Sequence, residues 1–327
     1  MSEEKKFDLS LLDSMGTIIS DFTSVSRQRT YPAIDPKRAE LSQAGRTVLI
    51  TGGGTNIGKA IAEAFGIAHA KKVIIVSRNK AVLDEAAADL AAKAASINSP
   101  TTYVSRAVDQ ADNAAVVALW DSLAAEGTVI DVLVLNAALF SDPKPLHELP
   151  IDDLWAEFEV NVKGPLHLVQ KFRAQEGFKN SPKAILNVTT SAIHMSQNAI
   201  ARGRPSYMVS KGAATHAFQL MADTVPADEC QIISFHPGML YGPGWTAFGI
   251  TKDMLPFDDL DLPGSFAVWA TSPEARFMHG RYALVNWDVT ELASGVNRKN
   301  LEADPEYLRL AMVGLREVSR DPFYKNN

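Results

Sequence analysis

Residues 46–58, Arg46-Thr47-Val48-Leu49-Ile50-Thr51-Gly52-Gly53-Gly54-Thr55-Asn56-Ile57-Gly58, decide the fold. The apolar run Val48–Ile50 within a strand at 47–51 breaks into a glycine-rich turn. A helix over about 57–69 follows, with Ile57, Ile61, Ala64, Phe65 and Ala68 on one stripe. Strand, glycine turn and helix are the setting of a phosphate-binding loop. Glycines let the backbone approach a pyrophosphate, and the helix start offers free N–H groups with a partial positive charge. A glycine turn with no ligand is the plain alternative. A nucleoside-triphosphate loop fits only halfway: Gly53-x4-Gly58-Lys59 is followed by Ala60, which lacks the hydroxyl needed for Mg²⁺.

Outward from this unit the pattern repeats. A strand at 72–77 precedes an alanine-rich helix at about 80–95, and a strand at 102–108 ends in Asp109. A helix at about 206–224 leads to a strand at 231–235, and another strand lies near 281–286. Such alternation predicts an α/β fold, a doubly wound parallel sheet with helices on both faces, in a single domain. The runs Ile130–Leu135, Ala184–Val188 and Gln231–Phe235 end in Asn136-Ala137-Ala138, Thr189-Thr190-Ser191 and His236-Pro237-Gly238. Ligands of open parallel sheets bind outside the carboxyl ends of the strands. These tags are therefore expected to meet the glycine turn in one crevice.

Composition narrows the partners. Of 327 residues, 46% are apolar and 21% charged, ordinary for a packed protein. A net charge of −6 gives no electrostatic reason to expect nucleic acid or an anionic membrane. Cys230 is the only cysteine and the 7 histidines lack ligand-like spacing, so neither a disulfide nor a metal is expected. The start Met1–Lys6 lacks the apolar core of a signal peptide, no run approaches the ~20 apolar residues of a membrane span, and Lys325–Asn327 matches no recognised address. A cytoplasmic protein is the expectation.

Residues 1–45 read as an N-terminal arm with a short amphipathic helix around Leu9–Ile19, either packed on a neighbouring subunit or partly disordered. Residues 46–300 read as the dinucleotide-binding domain and 301–327 as a C-terminal helical tail. Within the domain, about 238–262 lacks periodicity yet carries Tyr241, Trp245, Phe248, Met254, Leu255 and Phe257, which suits an apolar lid over the crevice.

Two motifs carry chemistry. Val73–Val76 ends in Ser77-Arg78, where an NAD site usually has an acidic residue for the ribose 2′-hydroxyl. A hydroxyl and a guanidinium suit a 2′-phosphate, so NADP(H) is expected; a solvated surface charge is the alternative for Arg78. In Tyr207-Met208-Val209-Ser210-Lys211, helical spacing puts the phenol and the ammonium on one face. At ~5 Å and an effective dielectric of ~20, the cation would favour the phenolate by about 3 kcal/mol, roughly two pKa units. Such a tyrosine could serve in acid–base chemistry. In Asn161-Val162-Lys163-Gly164-Pro165, the proline has no N–H and clashes with the carbonyl four residues earlier, which frees the Asn161 carbonyl for water.

In order, Thr-Gly-x3-(Gly)-x-Gly, Asn-Ala-Ala, Asn-x2-Gly, a Ser/Thr strand end, Tyr-x3-Lys and Pro-Gly resemble the short-chain dehydrogenase/reductase family over roughly 46–290. The resemblance implies a Rossmann-like fold and NADP(H)-dependent interconversion of a ketone or aldehyde with an alcohol. It implies Tyr207 as proton donor or acceptor, Lys211 as the residue that lowers its pKa and holds the nicotinamide ribose, and Asn161 completing a relay through water. Thr51, Gly52, Thr55, Asn56, Ile57, Gly58, Ser77, Arg78, Asp109, Asn136 and Ala137 would lie along the cofactor, and Pro237, Gly238 and Leu240 would border the nicotinamide.

The chain departs from the family pattern in three places. Asn56 replaces the middle glycine, which Asn tolerates because it enters left-handed backbone more readily than most residues. Thr190 has the register and Ser191 the residue type of the hydroxyl that polarises the substrate. Gly242 stands where a threonine often holds the cofactor amide. His194 and His236 could approach the crevice, whereas Trp120, Trp155, Phe158 and Phe172 read as core or subunit-interface residues. The helices near 152–175 and 206–224 are those the family uses to form a homodimer or homotetramer. The arm and Asn286-Trp287-Asp288 resemble reductases of fungal secondary metabolism. Two rival readings share the fold: a non-catalytic NADP-binding sensor or partner-binding protein, and an extended-type epimerase or dehydratase. The intact Tyr, Lys and Asn disfavour the first. Thr55, where the extended loop expects glycine, disfavours the second.

Overall fold

The apolar runs become strands because each can bury both faces between layers of helix. The computed structural model describes residues 22–195, 202–246 and 250–312. Its strands are β1 (Thr47–Thr51), β2 (Lys72–Ser77), β3 (Thr102–Ala107), β4 (Val132–Leu135), β5 (Lys183–Val188), β6 (Cys230–His236) and β7 (Tyr282–Leu284). They form one parallel sheet in the order β3-β2-β1-β4-β5-β6-β7. The order reverses between β1 and β4, and the crevice at their carboxyl ends is where a ligand fits such a sheet.

Alternation along each strand divides the core in two. Val48 and Ile50 point with Val73 and Ile75 toward helices α1 (Asn56–Ile67) and α2 (Lys80–Ser96). Leu49 points with Ile74, Leu133 and Ile185 toward α3 (Asn113–Ala125), α5 (Gly164–Ala174) and α6 (Pro205–Ala222). Each fully buried Ile or Leu contributes about 1.5–3 kcal/mol relative to exposure, which outweighs weak local propensities. Helix α4 (Ile151–Phe158) runs through a π-helical segment, Glu159–Lys163, into α5. Trp120 and Phe172 are core residues, while Trp155 is 59% exposed.

The two ends of the chain are described in part, as residues 22–45 and 301–312. Leu9–Ile19 lies outside the described residues. From Phe22 onward the arm packs on its own chain. Ile34 and Leu41 are fully buried in the core, against the layer that holds α7 (Asp261–Ala270). Ser26 bridges Trp287, Arg27 pairs with the buried Asp288 at 2.6 Å, and Glu291 accepts from Ser24 at 2.7 Å. Polar side chains of the arm thus find their partners at the far end of the sequence. Of the tail, 313–327 lies outside the described residues. Two helices, α8 (Val289–Leu292) and α9 (Gly295–Ala303), follow β7, and the described residues beyond Ala303 are turns and irregular chain. Pro305 restricts Asp304 to extended backbone, φ −123°, ψ 108°, and so stops the helix. Among the described residues no helix is long and apolar enough to cross a membrane.

Candidate active site

The glycine turn is held from two sides. Thr51 Oγ1 accepts from the Asn136 and Ala137 N–H groups, each at 3.0 Å, and Asn136 Nδ2 donates to the Thr51 carbonyl at 3.0 Å. A Cβ on Gly58 would lie 2.2 Å from the Gly52 carbonyl oxygen, so only glycine lets α1 start this close to the turn. Asn56 adopts φ +43°, the left-handed backbone expected of a residue in a glycine's place. A cavity of about 450 Å³ opens beside this turn. The glycine-turn residues Thr51, Gly52 and Thr55 through Gly58 line it, as do Ser77, Arg78, Asp109, Asn136 and Ala137 at the strand ends. Tyr207, Lys211 and Pro237 complete the set, so residues 186 positions apart share one wall.

Asn161, Thr190, Ser191, Gly238 and Leu240 are not among the residues that line this cavity. The Asn161 side chain bridges two elements: Leu139 N–H donates to Oδ1 at 2.8 Å, while Nδ2 donates to the Leu139 carbonyl at 2.7 Å and to Ser210 Oγ at 3.0 Å. Its backbone lies in the π-helical segment, where the Gly164 N–H bonds the Glu159 carbonyl five residues back. Pro165 supplies no N–H to the Asn161 carbonyl. The Val160 carbonyl, which an α-helix would give to Gly164, instead accepts from Gln110 Nε2 at 2.7 Å. Thr190 Oγ1 accepts from the Ala192 N–H at 3.2 Å and starts a short 3₁₀ turn, and Ser191 is buried. Gly238, at φ +92°, packs on Asp258, which accepts from the Met239 N–H at 2.7 Å and from Asn286 Nδ2 at 2.9 Å. Burial raises the Asp258 pKa.

Lys211 is 3% exposed and donates to the Val188 carbonyl at 2.7 Å, and burial brings its pKa down to about 8. Tyr207 is pushed up to about 12, first by burial and then by the charge of Glu157, with Arg204 in opposition. Of the protein's own groups among the described residues, Arg204 is the one that lowers it. The Lys211 ammonium is directed at the Val188 carbonyl.

His236 is held neutral, its pKa drawn down to about 3 by burial, and His194 packs edge-on against Tyr282 with ring centroids 5.5 Å apart. In the candidate lid Phe257 packs against Tyr241 and Trp245 at 5.2 and 5.5 Å, while Phe248 lies outside the described residues. Sequence reasoning overlooked Glu157 and Gln110. Glu157 precedes Asn161 by one helical turn, a spacing that places the two on one face. For Gln110 the sequence carries no comparable signal. Among the described residues no group of three or more His, Cys, Asp or Glu could hold a metal.

Residues 46–248 match the short chain dehydrogenase family. This chain belongs to the short-chain dehydrogenase/reductase family. Short chain dehydrogenase/reductase AacuD of Aspergillus aculeatus is 33% identical over 291 residues, 89% of this chain and 96% of that one. A short chain dehydrogenase/reductase of Claviceps purpurea is 33% identical over 293 residues, 89% and 94% of the two chains. The resemblance to fungal reductases read from the sequence therefore holds. Among solved structures, L-sorbose reductase from Gluconobacter frateurii, complexed with NADPH and L-sorbose, superimposes with a TM-score of 0.64 at 24% identity, over 76% of this chain and 98% of that one. For 7α-hydroxysteroid dehydrogenase, complexed with NADH and 7-oxo glycochenodeoxycholic acid, the TM-score is 0.65 at 24% identity, over 79% and 97%. These two share the fold. As a short-chain dehydrogenase/reductase the protein is an oxidoreductase of a family that binds NAD(P)(H). Its cavity, walled by Gly52 and Gly58 of the turn and by the polar strand ends Ser77, Arg78, Asp109 and Asn136, fits such a cofactor.

Proposed function

We propose that this short-chain dehydrogenase/reductase interconverts a ketone or aldehyde with its alcohol, using NADP(H). One observation carries the reading: Tyr207 and Lys211 line the same cavity as the glycine turn. The cofactor, when bound, supplies or accepts the hydride. Thr51, Gly52, Thr55, Asn56, Ile57 and Gly58 would hold its pyrophosphate, with Asp109, Asn136 and Ala137 beyond them. Arg78, exposed at the end of β2 beside Ser77, would take the 2′-phosphate through a planar, always charged fork. Pro237, Gly238 and Leu240 would border the nicotinamide.

Tyr207 Oη holds the proton that passes to the carbonyl oxygen. Thr190 or Ser191 donates a hydrogen bond to that oxygen as charge develops there. Thr190 is the more exposed, and its Oγ1 acts toward Ala192 only as an acceptor, which leaves its proton to donate. Lys211 would hold the ribose hydroxyls. Asn161, whose carbonyl lacks its helical partner at Pro165, supports the water that returns the proton to Tyr207. The aromatic group around Phe257 supports a fairly apolar small-molecule substrate. Exposed Ile151, Trp155, Val209 and Leu220 on α4 and α6 support a homodimer or homotetramer, and the single buried cysteine suits a reducing, cytoplasmic setting.

The test is NADPH oxidation across a panel of ketones and aldehydes, repeated with NADH. Wild type should prefer NADPH, and Tyr207→Phe should lose at least 100-fold in turnover, the scale of general acid catalysis, at unchanged NADPH affinity. Wild-type turnover in that variant would refute the assignment, and a preference for NADH would remove the role of Arg78.

A further inference from the structure

Behind Tyr207 lies a carboxylate that the proposed chemistry does not use. Glu157, the last residue but one of α4, is 0% exposed. Its Oε1 accepts from the Ser141 N–H at 2.7 Å and from Ser206 Oγ at 2.9 Å, and its Oε2 has no hydrogen-bond partner among the described residues. Ser206 stands in the first turn of α6, immediately before Tyr207. Ser141 belongs to the loop after β4, and its carbonyl accepts from Arg204 Nη1 at 2.8 Å. The same arginine lies 4.6 Å over the Phe140 ring, which meets Tyr207 edge-on at 5.9 Å. One carboxylate thus joins α4, the β4 loop and the start of α6 around the phenol.

A glutamine would make both acceptor bonds without burying a charge, and burying a charge is costly unless it is paired. What a carboxylate can do here and a glutamine cannot is set a negative charge beside the phenol. The N-terminus of α6, an 18-residue helix, partly stabilises it. Among the described residues, the charged groups around the phenol are Glu157 from α4, Arg204 from the turn before α6 and Lys211 from α6 itself. Only Glu157 opposes the phenolate, and it is the principal reason after burial that the phenol holds its proton so firmly.

We propose that Glu157 is a positioning residue that acts through Tyr207, keeping the phenol loaded with its proton and widening to the alkaline side the pH range over which the site can reduce a carbonyl. This rests on Tyr207 being the proton donor. In that step the Tyr207 O–H bond breaks as the product O–H bond forms, leaving a phenolate that water reloads. A fixed negative charge beside the phenolate favours reloading. It shifts the pH dependence of both directions together and leaves the overall equilibrium untouched.

The experiment titrates Tyr207 in NADP⁺-saturated protein by tyrosinate absorbance, as the difference between each protein and its Tyr207→Phe counterpart. The pH profile of NADPH oxidation is recorded alongside. Glu157→Gln should move the tyrosine midpoint down by about one pH unit, a tenfold loss of proton affinity, with the alkaline limb of reduction moving equally. Glu157→Asp, which keeps the charge, should hold the wild-type midpoint. An unmoved midpoint in folded Glu157→Gln, or in Glu157→Ala as a second neutral variant, would overturn the proposal. So would failure of both neutral variants to fold while Glu157→Asp folds with a wild-type profile, since Glu157 would then be a structural clasp alone. Turnover surviving in Tyr207→Phe would sink the catalytic reading itself. A dead Tyr207→Phe with an unmoved midpoint sinks only the inference about Glu157.

Discussion

At Asn56 the backbone takes φ +43°, a region that costs a residue with a Cβ about 1–2 kcal/mol and costs Asn less than most. Asn56→Gly should therefore leave stability and cofactor affinity close to wild type. Asn56→Val should lose about 1–2 kcal/mol in urea denaturation and weaken NADPH binding about tenfold, read by fluorescence titration. A valine variant as stable as wild type would mean that the turn relaxes. Requirements of this kind are legible in sequence because they are local: the glycine spacing around Asn56 announces the bend. The proton affinity of Tyr207 is not legible in the same way. Tyr-x3-Lys reveals a neighbouring ammonium, but not that the Val188 carbonyl captures it or that Glu157 faces the phenol from a helix 50 residues earlier.

Among the elements, strands are the most readable, since a run buried on both faces leaves a continuous apolar signature, as in Val48–Ile50 and Ala184–Val188. Segment 159–163 is half readable. Pro165 marks a disturbance in the helix, but the shift to i→i+5 bonding and the capping of the Val160 carbonyl by Gln110 depend on tertiary contacts. Gln110 Nε2 also reaches the Ala137 carbonyl at 3.3 Å, so one amide ties the π-helical turn to the end of β4. Gln110→Leu, similar in size but unable to donate, should lower stability by about 1–3 kcal/mol by leaving a buried carbonyl unpaired. Turnover should fall tenfold or more while the NADPH Kd changes less than threefold, because the displaced group is Asn161. Equal losses in Kd and turnover would place the damage in the cofactor site instead.

For the molecule as a whole, the sheet order follows from the alternation of strands and helices, and the route of the arm does not. Residues 22–45 have no long periodic stripe, and their partners lie some 260 positions away. Asn286 is the junction: its Nδ2 donates to the Arg27 carbonyl and to Asp258 Oδ1, each at 2.9 Å, and Asp258 in turn holds Met239. Arm, candidate lid and β7 therefore share one side chain. Asn286→Ala should lose about 1–3 kcal/mol, visible as a Tm lowered by a few degrees. The KM for the carbonyl substrate should rise more than kcat falls, since the Pro237-Gly238 turn loosens. An unchanged KM with a lowered Tm would separate the arm from the site.

The seam between Ser24–Arg27 and Asn286–Glu291 also bears on how the protein comes into being. During translation at ~5–20 residues per second, a segment made early waits roughly 13–50 s for its mate to emerge from the ribosome. The nucleotide cradle from β1 to β4 can assemble within that interval, whereas the lid anchor closes only after β7 has been synthesised. A nascent chain stalled before Asn286 would hold a formed cradle beneath an unfastened lid.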